Sequence, residues 1–515
     1  MTAVLIATIV VGAAAAALGA ARWLRVAQRE HYIAPWVTRI AGMWMRAILG
    51  NVTFVLGALM FAIAGYIGYN GNSPLAWFSI VAPIVLAALP IGLGIRGTSA
   101  PLAITARLKR LAVVWVIVVL LIGAVLVALL GPLGVAITLI LQPVITDIAL
   151  VILKPIEKAL SKKFLISARK RLQQVRPKVV AITGSYGKTS TKGYIAHVLG
   201  GAFSVVASPA SFNNLMGLSR AVNERVVPGT EVFIAEMGVY GRGEIRELSE
   251  SFPPDIAAIT TIGEAHLARM GSREVIFQAK SEITEKARTV VLPIDEEMLA
   301  GLADRCRNEG KRVITVSTVP GTVADVVVDA AAGTISVGPA TAPVTVPAVG
   351  HAVNIAVAVG IAVALDLPLD AIASRLSALP ESRHRAEIQT APNGTIIIDD
   401  TYNANPVGAE RAIQGAAALA KERGGPLVVV TPGMVELGRV QFARNREFAA
   451  SIASLGGHLF AVARTNRNAL MAGAASGKHP ARTFDQRTDA VAAALDQAGE
   501  RGVILYENDL PDHYP

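Results

Sequence analysis

Apolar residues fall in two distinct regimes along this chain. Up to about residue 153 they form long uninterrupted runs, and beyond residue 178 they form short β-branched runs alternating with helical stretches. A hydrocarbon core needs about 20 apolar residues to cross as a helix. Four or five segments fit: Thr2 to Ala21, Val52 to Tyr69, Leu75 to Ile95, Leu111 to Leu130 and Leu133 to Leu153. The first lacks a basic stretch ahead of it, and Arg22, Arg25 and Arg29 follow it, which argues for a retained span rather than a cleaved signal. Between the first two, His31 to Leu49 carries Trp36, Ile40, Met43, Trp44 and Ile48 near helical spacing among Arg39 and Arg46, the pattern of an amphipathic interfacial helix. In the second regime the runs Val179 to Thr183, Glu231 to Glu236, Ile256 to Thr261, Thr289 to Pro293 and Val313 to Val316 predict strands of a parallel sheet with helices on both faces. A second alternating unit starts near Glu387, with strands Gly394 to Ile398, Leu427 to Val430, Leu459 to Ala463 and Val503 to Tyr506, and a hinge around Ser382 to Arg385.

The expected fold class is therefore a multi-domain membrane protein: a transmembrane α-helical domain (1–155), a basic connector (156–177), a P-loop-type α/β central domain (178–384) and a Rossmann-like α/β C-terminal domain (385–515). Composition agrees, with 53% hydrophobic and only 17% charged residues among 515 and a mean hydropathy of +0.50. The net charge of +10 sits mainly beside the apolar segments, so it reads as membrane orientation rather than nucleic-acid binding. Arg96, Arg107, Lys109 and Arg110 cluster between the third and fourth segments, whereas the loop Asn70 to Pro74 is uncharged. With five spans the N-terminus lies outside and everything beyond Lys154 is cytoplasmic, in a multi-pass cell-membrane protein. The single cysteine, Cys306, excludes an internal disulfide and a four-cysteine metal cluster. Asp147 is the only carboxylate within the spans; it reads either as a functional group or as one that reaches water from a span end.

Chemistry enters at Thr183-Gly184-Ser185-Tyr186-Gly187-Lys188-Thr189, between a strand and the helix from Ser190 to Leu199. Backbone N–H groups at such a helix start can cradle phosphate oxygens, with Lys188 neutralising the terminal phosphates and Thr189 ligating magnesium. The full nucleotide-loop pattern requires a glycine where Ile182 stands, so taken alone the loop is either a phosphate loop or an ordinary glycine turn. Glu236 ends an apolar strand, a place for a hard oxygen ligand suited to magnesium. His266 and Lys280, taken singly, read as a packed or surface histidine and a helix-surface lysine. Asp399-Asp400 ends a strand of the second unit, followed by the turn Tyr402-Asn403-Ala404-Asn405-Pro406.

Together and in this order, these motifs resemble the Mur ligase family, ATP-dependent amide-forming enzymes of peptidoglycan synthesis, nearest the branch that adds D-alanyl-D-alanine to a UDP-muramoyl tripeptide. The phosphate loop, Phe212-Asn213-Asn214-Leu215-Met216-Gly217, Glu236-Met237-Gly238, Ala265-His266-Leu267, Ala279-Lys280-Ser281-Glu282, Asp399 to Pro406 and Gly433-Met434-Val435-Glu436-Leu437-Gly438 carry the resemblance, over Lys178 to about Gly438. It implies that Gly184, Ser185, Gly187, Lys188, Thr189 and Ser190 hold the ATP phosphates, with Asn354 by the adenine and Arg385, Asp400, Tyr402, Asn403 and Asn405 closing on the nucleotide. It implies two Mg2+ ions, one on Thr189 and Glu236, the other on His266 and a carbamylated Lys280, and places Asn213 and Asn214 at phosphate or substrate. Lys188, His266 and Lys280 would be the catalytic set. Gly350 stands where the family has a histidine, and His351 comes one residue later, which leaves its role open.

The implied reaction is carboxylate activation by ATP to an acyl phosphate, followed by amine attack. Soluble members carry a UDP-binding domain ahead of the phosphate loop; here apolar segments hold that place. The expected partners are thus a cell-envelope precursor, lipid-linked in the extended form of this reading, and an amino acid or dipeptide, with no nucleic acid; the oligomeric state stays open. The alternatives are a polymerising ligase of the capsule type, a nucleotide-gated transporter with a ligase-like regulatory domain, and a degenerate ligase serving as a scaffold.

Overall fold

The computed structural model describes all residues except 1, 97–101, 210–211, 345–351, 378, 380–386 and 402–404. The described residues divide into two compact units, Met1–Leu160 with Leu510–Pro515, and Ser161–Asp509.

Among the described residues of the first unit three helices are long and apolar enough to cross a membrane: Thr2–Arg29, Leu49–Asn70 and Ala106–Leu130. The expectation of four or five spans is narrowed at two places. Leu75 to Ile95 forms a 3-10 segment, Pro74–Ile80, and a short helix, Val81–Ala87. Pro74, Pro83 and Pro90 remove backbone donors and Gly92 and Gly94 weaken what remains, so an apolar window does not become one helix. The segment instead folds back onto Leu49–Asn70, where Gly65 and Gly68 admit its backbone: a Cβ at either would strike main-chain atoms of Leu75, Ala76 or Ser79. Leu133 to Leu153 is likewise broken, with a 66° bend between Pro132–Ile140 and Gln142–Val175. Pro143, at the second position of the later helix, cannot donate to Leu139 and so interrupts the ladder. Counting the bent pair as one gives at most four candidate spans. The five-span parity that placed the N-terminus outside no longer follows.

Two polar features of this unit differ from expectation. The helix Trp36–Ala47 buries Trp36, Val37, Ile40, Ala41 and Trp44 inside the protein, so its apolar face meets side chains and not an interface. Asp147 is buried and does not reach water; it accepts from Thr38 N (2.8 Å), Thr38 Oγ1 (2.6 Å) and Val37 N (3.3 Å) at the start of that helix. Its carboxylate satisfies donors that a helix N-terminus leaves orphaned. Asp147→Ala should therefore lower the thermal stability of this unit by about 1–3 kcal/mol, the cost of leaving buried N–H groups unpaired, while Asp147→Asn, which keeps an acceptor, should cost less. Equal melting temperatures for the two variants and the parent would overturn the capping role. The segment Leu510–Pro515 packs in the same unit, where Asp512 pairs with Arg25 (2.8 Å) and His513 meets Glu30 (2.8 Å) through Nε2 and accepts from Trp44 Nε1 (2.9 Å) through its carbonyl.

The second unit holds two sheets. Strands β1 (Lys178–Thr183), β2 (Val205–Ala207), β3 (Val232–Glu236), β4 (Ile256–Ile259), β5 (Thr289–Pro293), β6 (Arg312–Ser317), β7 (Val326–Asp329), β8 (Thr334–Val337) and β9 (Ala340–Pro343) make one sheet in the order 2-3-1-4-5-6-7-8-9. Pairing is parallel from β2 to β7 and antiparallel through β8 and β9. Helices bury one face with Val180, Ile182 and Ile234 and the other with Phe233, Ala257 and Ile259. The helix Ala352–Ala364 is apolar almost all round because it lies wholly inside the first of these cores. Strands β10 (Glu387–Thr390), β11 (Ile396–Asp400), β12 (Leu427–Thr431), β13 (His458–Val462), β14 (Arg482–Phe484) and β15 (Val503–Glu507) form the second sheet in the order 10-11-15-12-13-14, with β10 alone antiparallel. All the strands expected in both regimes are present. In the register of the first sheet Ile182 of β1 pairs with Glu236 of β3 and Thr183 with Ile259 of β4, so the loop leaving β1 opens between the ends of two neighbouring strands. Ligands of parallel α/β sheets bind at such carboxyl ends.

Candidate active site

At the end of β1, Gly184 takes φ +155° and Gly187 takes φ +79°, and a Cβ at Gly187 would collide with the side-chain amide of Asn354. The loop can close only with glycine here, and the collision places Asn354 against the phosphate loop. Ser185 Oγ accepts from Gly263 N (2.9 Å), tying this loop to the one after β4. The helix Lys188–Leu199 starts directly behind, with Ser190 buried in its first turn.

Two amines converge on one carbonyl: Lys188 Nζ donates to Gly184 O at 2.7 Å and Lys280 Nζ donates to the same oxygen at 3.0 Å. Lys280 is buried, and burial first, then the neighbouring Lys188 charge, holds its amine well below the ordinary lysine range. Alongside, Thr189 Oγ1 donates to both carboxylate oxygens of Glu236 at 3.1 Å, and Lys192 Nζ donates to Glu236 Oε2 at 2.7 Å. Lys192 was not singled out from sequence. Its signal is its spacing, one helical turn after Lys188 on the same face.

His266 lies elsewhere in the site, at φ +59° ahead of the short helix Leu267–Met270. Its Nδ1 meets Glu436 Oε2 at 2.5 Å, and Arg269 donates to Glu436 Oε1 through Nε (3.1 Å) and Nη2 (2.8 Å). Burial pushes the Glu436 carboxyl up, but His266 and Arg269 outweigh it and bring it down to about 2. A cleft of about 580 Å³ between the two sheets' domains is lined by Tyr186, Glu264, Arg273, Glu410, Arg411 and Arg444. Arg444 Nη2 donates to Glu264 Oε1 across it at 2.6 Å.

Other expected residues hold the fold locally. Asn214 Oδ1 caps Leu215–Arg225 by accepting from Gly217 N (2.9 Å), and Asn405 Oδ1 caps Pro406–Arg423 by accepting from Gly408 N (2.7 Å). The side chain of Asn213 lies against Gly238. Asp400 is buried at the end of β11 in register with Glu507 of β15. Arg385, Tyr402, Asn403 and His351 lie outside the described residues.

Residues suited to two cations are grouped only in part. Thr189 and Glu236 offer oxygens in one place, where Lys192 already supplies a positive charge, and that donor set fits Mg2+. Among the described residues no three His, Cys, Asp or Glu side chains converge as ligands. A metal at Lys280 thus calls for conversion of its amine to an anionic carbamate, and a buried, charge-depressed amine beside a second lysine fits that chemistry.

A glycine loop leading from a strand into a helix, with a Lys-Thr pair, an acidic strand end beside it and a second α/β domain meeting it across a cleft, is the fold of a nucleotide-dependent ligase. The chain belongs to the Mur ligase family. The family's middle domain matches residues 182–362, and its C-terminal glutamate ligase domain matches 384–506. Among curated relatives it is similar to the UDP-N-acetylmuramoyl-tripeptide–D-alanyl-D-alanine ligase of Mycobacterium tuberculosis, 32% identical over 262 residues, 47% of this chain and 49% of the relative. The Bacillus subtilis enzyme of the same name is 32% identical over 287 residues, 55% of this chain and 62% of the relative. The chain spans about half the length of the curated relatives it matches. Its fold is shared with a crystal structure of MurF from Acinetobacter baumannii, with TM-score 0.59, 24% identity and coverage of 68% of this chain and 77% of that one. It is shared also with MurF ligase from Thermotoga maritima in complex with ADP, with TM-score 0.57, 23% identity and coverage of 68% and 80%.

Proposed function

We propose that this protein is a membrane-attached, ATP-dependent amide ligase that extends a cell-envelope precursor at the cytoplasmic face. The observation that carries the reading is the meeting of Lys188 and Lys280 on Gly184 O beside the Thr189–Glu236 pair. A loop serving only as a turn has no use for two amines on one carbonyl, one of them buried, beside a buried carboxylate.

A carboxylate resists amine attack because its charge is spread over both oxygens. In the proposed reaction a carboxylate oxygen of the acceptor attacks the γ-phosphorus of ATP and ADP departs with the bonding pair, leaving an acyl phosphate. The amine nitrogen then attacks the acyl carbon, phosphate leaves, and the nitrogen loses a proton. Lys188 and the loop N–H groups hold the charge on the transferred phosphoryl group. Mg2+ held by Thr189 and Glu236, with a second ion at His266 and carbamylated Lys280, would supply further charge stabilisation. Asn354 borders the nucleotide, and Ser185, Ser190, Asp400 and Asn405 hold the loops around it. Closure of the C-terminal domain excludes water from the acyl phosphate, which would otherwise hydrolyse.

Attachment to a membrane is supported by the lipid-like exposure of the three long helices, on which Val10, Leu56, Met60, Leu120, Leu121 and Leu129 face outward. A surface patch so extensive is unsuited to water. Apolar helices ahead of the phosphate loop favour an acceptor carried by lipid. The test uses the full chain in detergent or nanodiscs with ATP and Mg2+. UDP-muramoyl tripeptide or its lipid-linked counterpart serves as acceptor, and D-alanyl-D-alanine or single amino acids serve as amine. Phosphate release is expected only when acceptor and amine are both present, and one discrete product separates single addition from polymerisation. Release without an acceptor sinks the proposal.

A further inference from the structure

We propose that Glu436 is a positioning residue that makes His266 a metal ligand only when the C-terminal domain is seated on the middle domain. This deepens the preceding reading and rests on it in one respect, the assignment of His266 to a metal.

The contact is built by the backbone as well as the side chain. Glu436 follows β12 at φ +62°, and Gly438, two residues on, takes φ +60°. A Cβ at Gly438 would approach Ala268 Cα to 3.2 Å, and Ala268 N donates to Glu436 O at 2.8 Å. The loop is thus pressed main chain to main chain onto the turn carrying His266. Left-handed backbone at Glu436 and at His266 is uncommon for side-chain-bearing residues, and such strain concentrates at functional sites.

The side chain then divides its two oxygens. Oε1 is gripped by Arg269 through two nitrogens, and this fixes the direction of the carboxylate; Oε2 meets His266 Nδ1. The edge of Tyr240 against the imidazole, with ring centroids 4.9 Å apart, limits rotation of the ring. A carboxylate on Nδ1 selects the tautomer with its proton on that nitrogen and leaves the Nε2 lone pair as the one able to coordinate a cation. Because the carboxylate comes from one domain and the histidine from the other, metal affinity and domain closure become linked, and each must strengthen the other by the same factor. The pair Glu264–Arg444 also joins the domains but does not touch His266, which provides an internal control.

The measurement is Mn2+ binding by electron paramagnetic resonance to the full protein with a non-hydrolysable ATP analogue, with small-angle scattering as the readout of closure. Glu436→Gln should weaken the looser Mn2+ ion by about ten-fold, the usual cost of losing a carboxylate behind a metal-bound histidine. Arg444→Gln should open the domains comparably and leave the intrinsic Mn2+ affinity of the closed fraction unchanged. Arg269→Gln, which leaves the carboxylate present but unaimed, should fall between. If, once the closed fraction read by scattering is taken into account, Glu436→Gln and Arg444→Gln leave the same Mn2+ affinity in the closed state, Glu436 is a plain latch and the proposal fails. If Glu436→Gln has no effect while His266→Ala does, the positioning role fails but His266 stands as a ligand. If His266→Ala leaves Mn2+ binding intact, the metal assignment itself falls.

Discussion

Lys188→Ala is expected to reduce ATP-dependent phosphate release by about 10²–10³-fold, the cost of deleting one preorganised charge from a transferring phosphoryl group. Nucleotide affinity should fall less, because backbone N–H groups at the start of the helix Lys188–Leu199 still face the phosphates. The loop itself should survive. Its shape is set by Gly184, by Gly187 against Asn354, and by Ser185 on Gly263, none of which needs the Lys188 amine. Lys192→Ala provides the informative contrast. Lys192 bonds Glu236 and not the Gly184 carbonyl, so its loss should loosen the carboxylate and shift the Mg2+ dependence of the rate while leaving more activity than Lys188→Ala. Single-turnover phosphate release and a Mg2+ titration separate the two. Equal losses with unchanged Mg2+ dependence would mean that Lys192 and Lys188 share one task.

The contrast also shows what the sequence made visible. The phosphate loop and Glu236 stood out locally because each follows a buried strand, whereas His266 and Lys280 read singly as ordinary side chains and gained a role only from the order of motifs that the family shares. The strands around them were legible because β-branched runs such as Val179 to Thr183 are fully buried on both faces and so read continuously. Lys192 carried only a spacing, and Glu436 only a place in a motif. Its partner lies 170 residues away, and nothing local announces a pairing set by two domains meeting. Strands β8 and β9 were missed because four-residue strands with half-exposed side chains, such as Thr334–Val337, leave no clear alternation. The count of membrane spans failed for a different reason. A hydropathy window sums apolar character and ignores backbone donors, so two windows still read as apolar although Pro83, Pro90 and Pro143 break their helices. Asp147, read either as a functional group or as one reaching water from a span end, faces the start of a helix over 100 residues earlier.

Lys280→Ala should cost a comparable factor, about 10²–10³-fold, yet unlike Lys188→Ala it should be rescued in part by acetate or formate. The difference follows from what each amine is for. In the proposed reaction Lys188 serves as a cation at the phosphates. Lys280 is buried with a second ammonium as its neighbour and a single carbonyl as its acceptor, an arrangement that disfavours its charged form. Burial and Lys188 lower its pKa in the folded state, so the unfolded chain holds the extra proton between that lowered value and the ordinary lysine value of about 10.4. Across that window stability rises with pH and is lost as pH falls. A neutral amine can add to carbon dioxide, and the carbamate so formed is an anionic oxygen donor that removes the like-charge conflict. The enzyme as isolated should accordingly lose activity in buffers stripped of carbon dioxide and regain it with bicarbonate, and small carboxylates should substitute only where the lysine side chain has been removed. Full activity without carbon dioxide, together with no rescue of Lys280→Ala by acetate, would show that Lys280 acts as an amine and that the charge pairing beside Gly184 is resolved in another way.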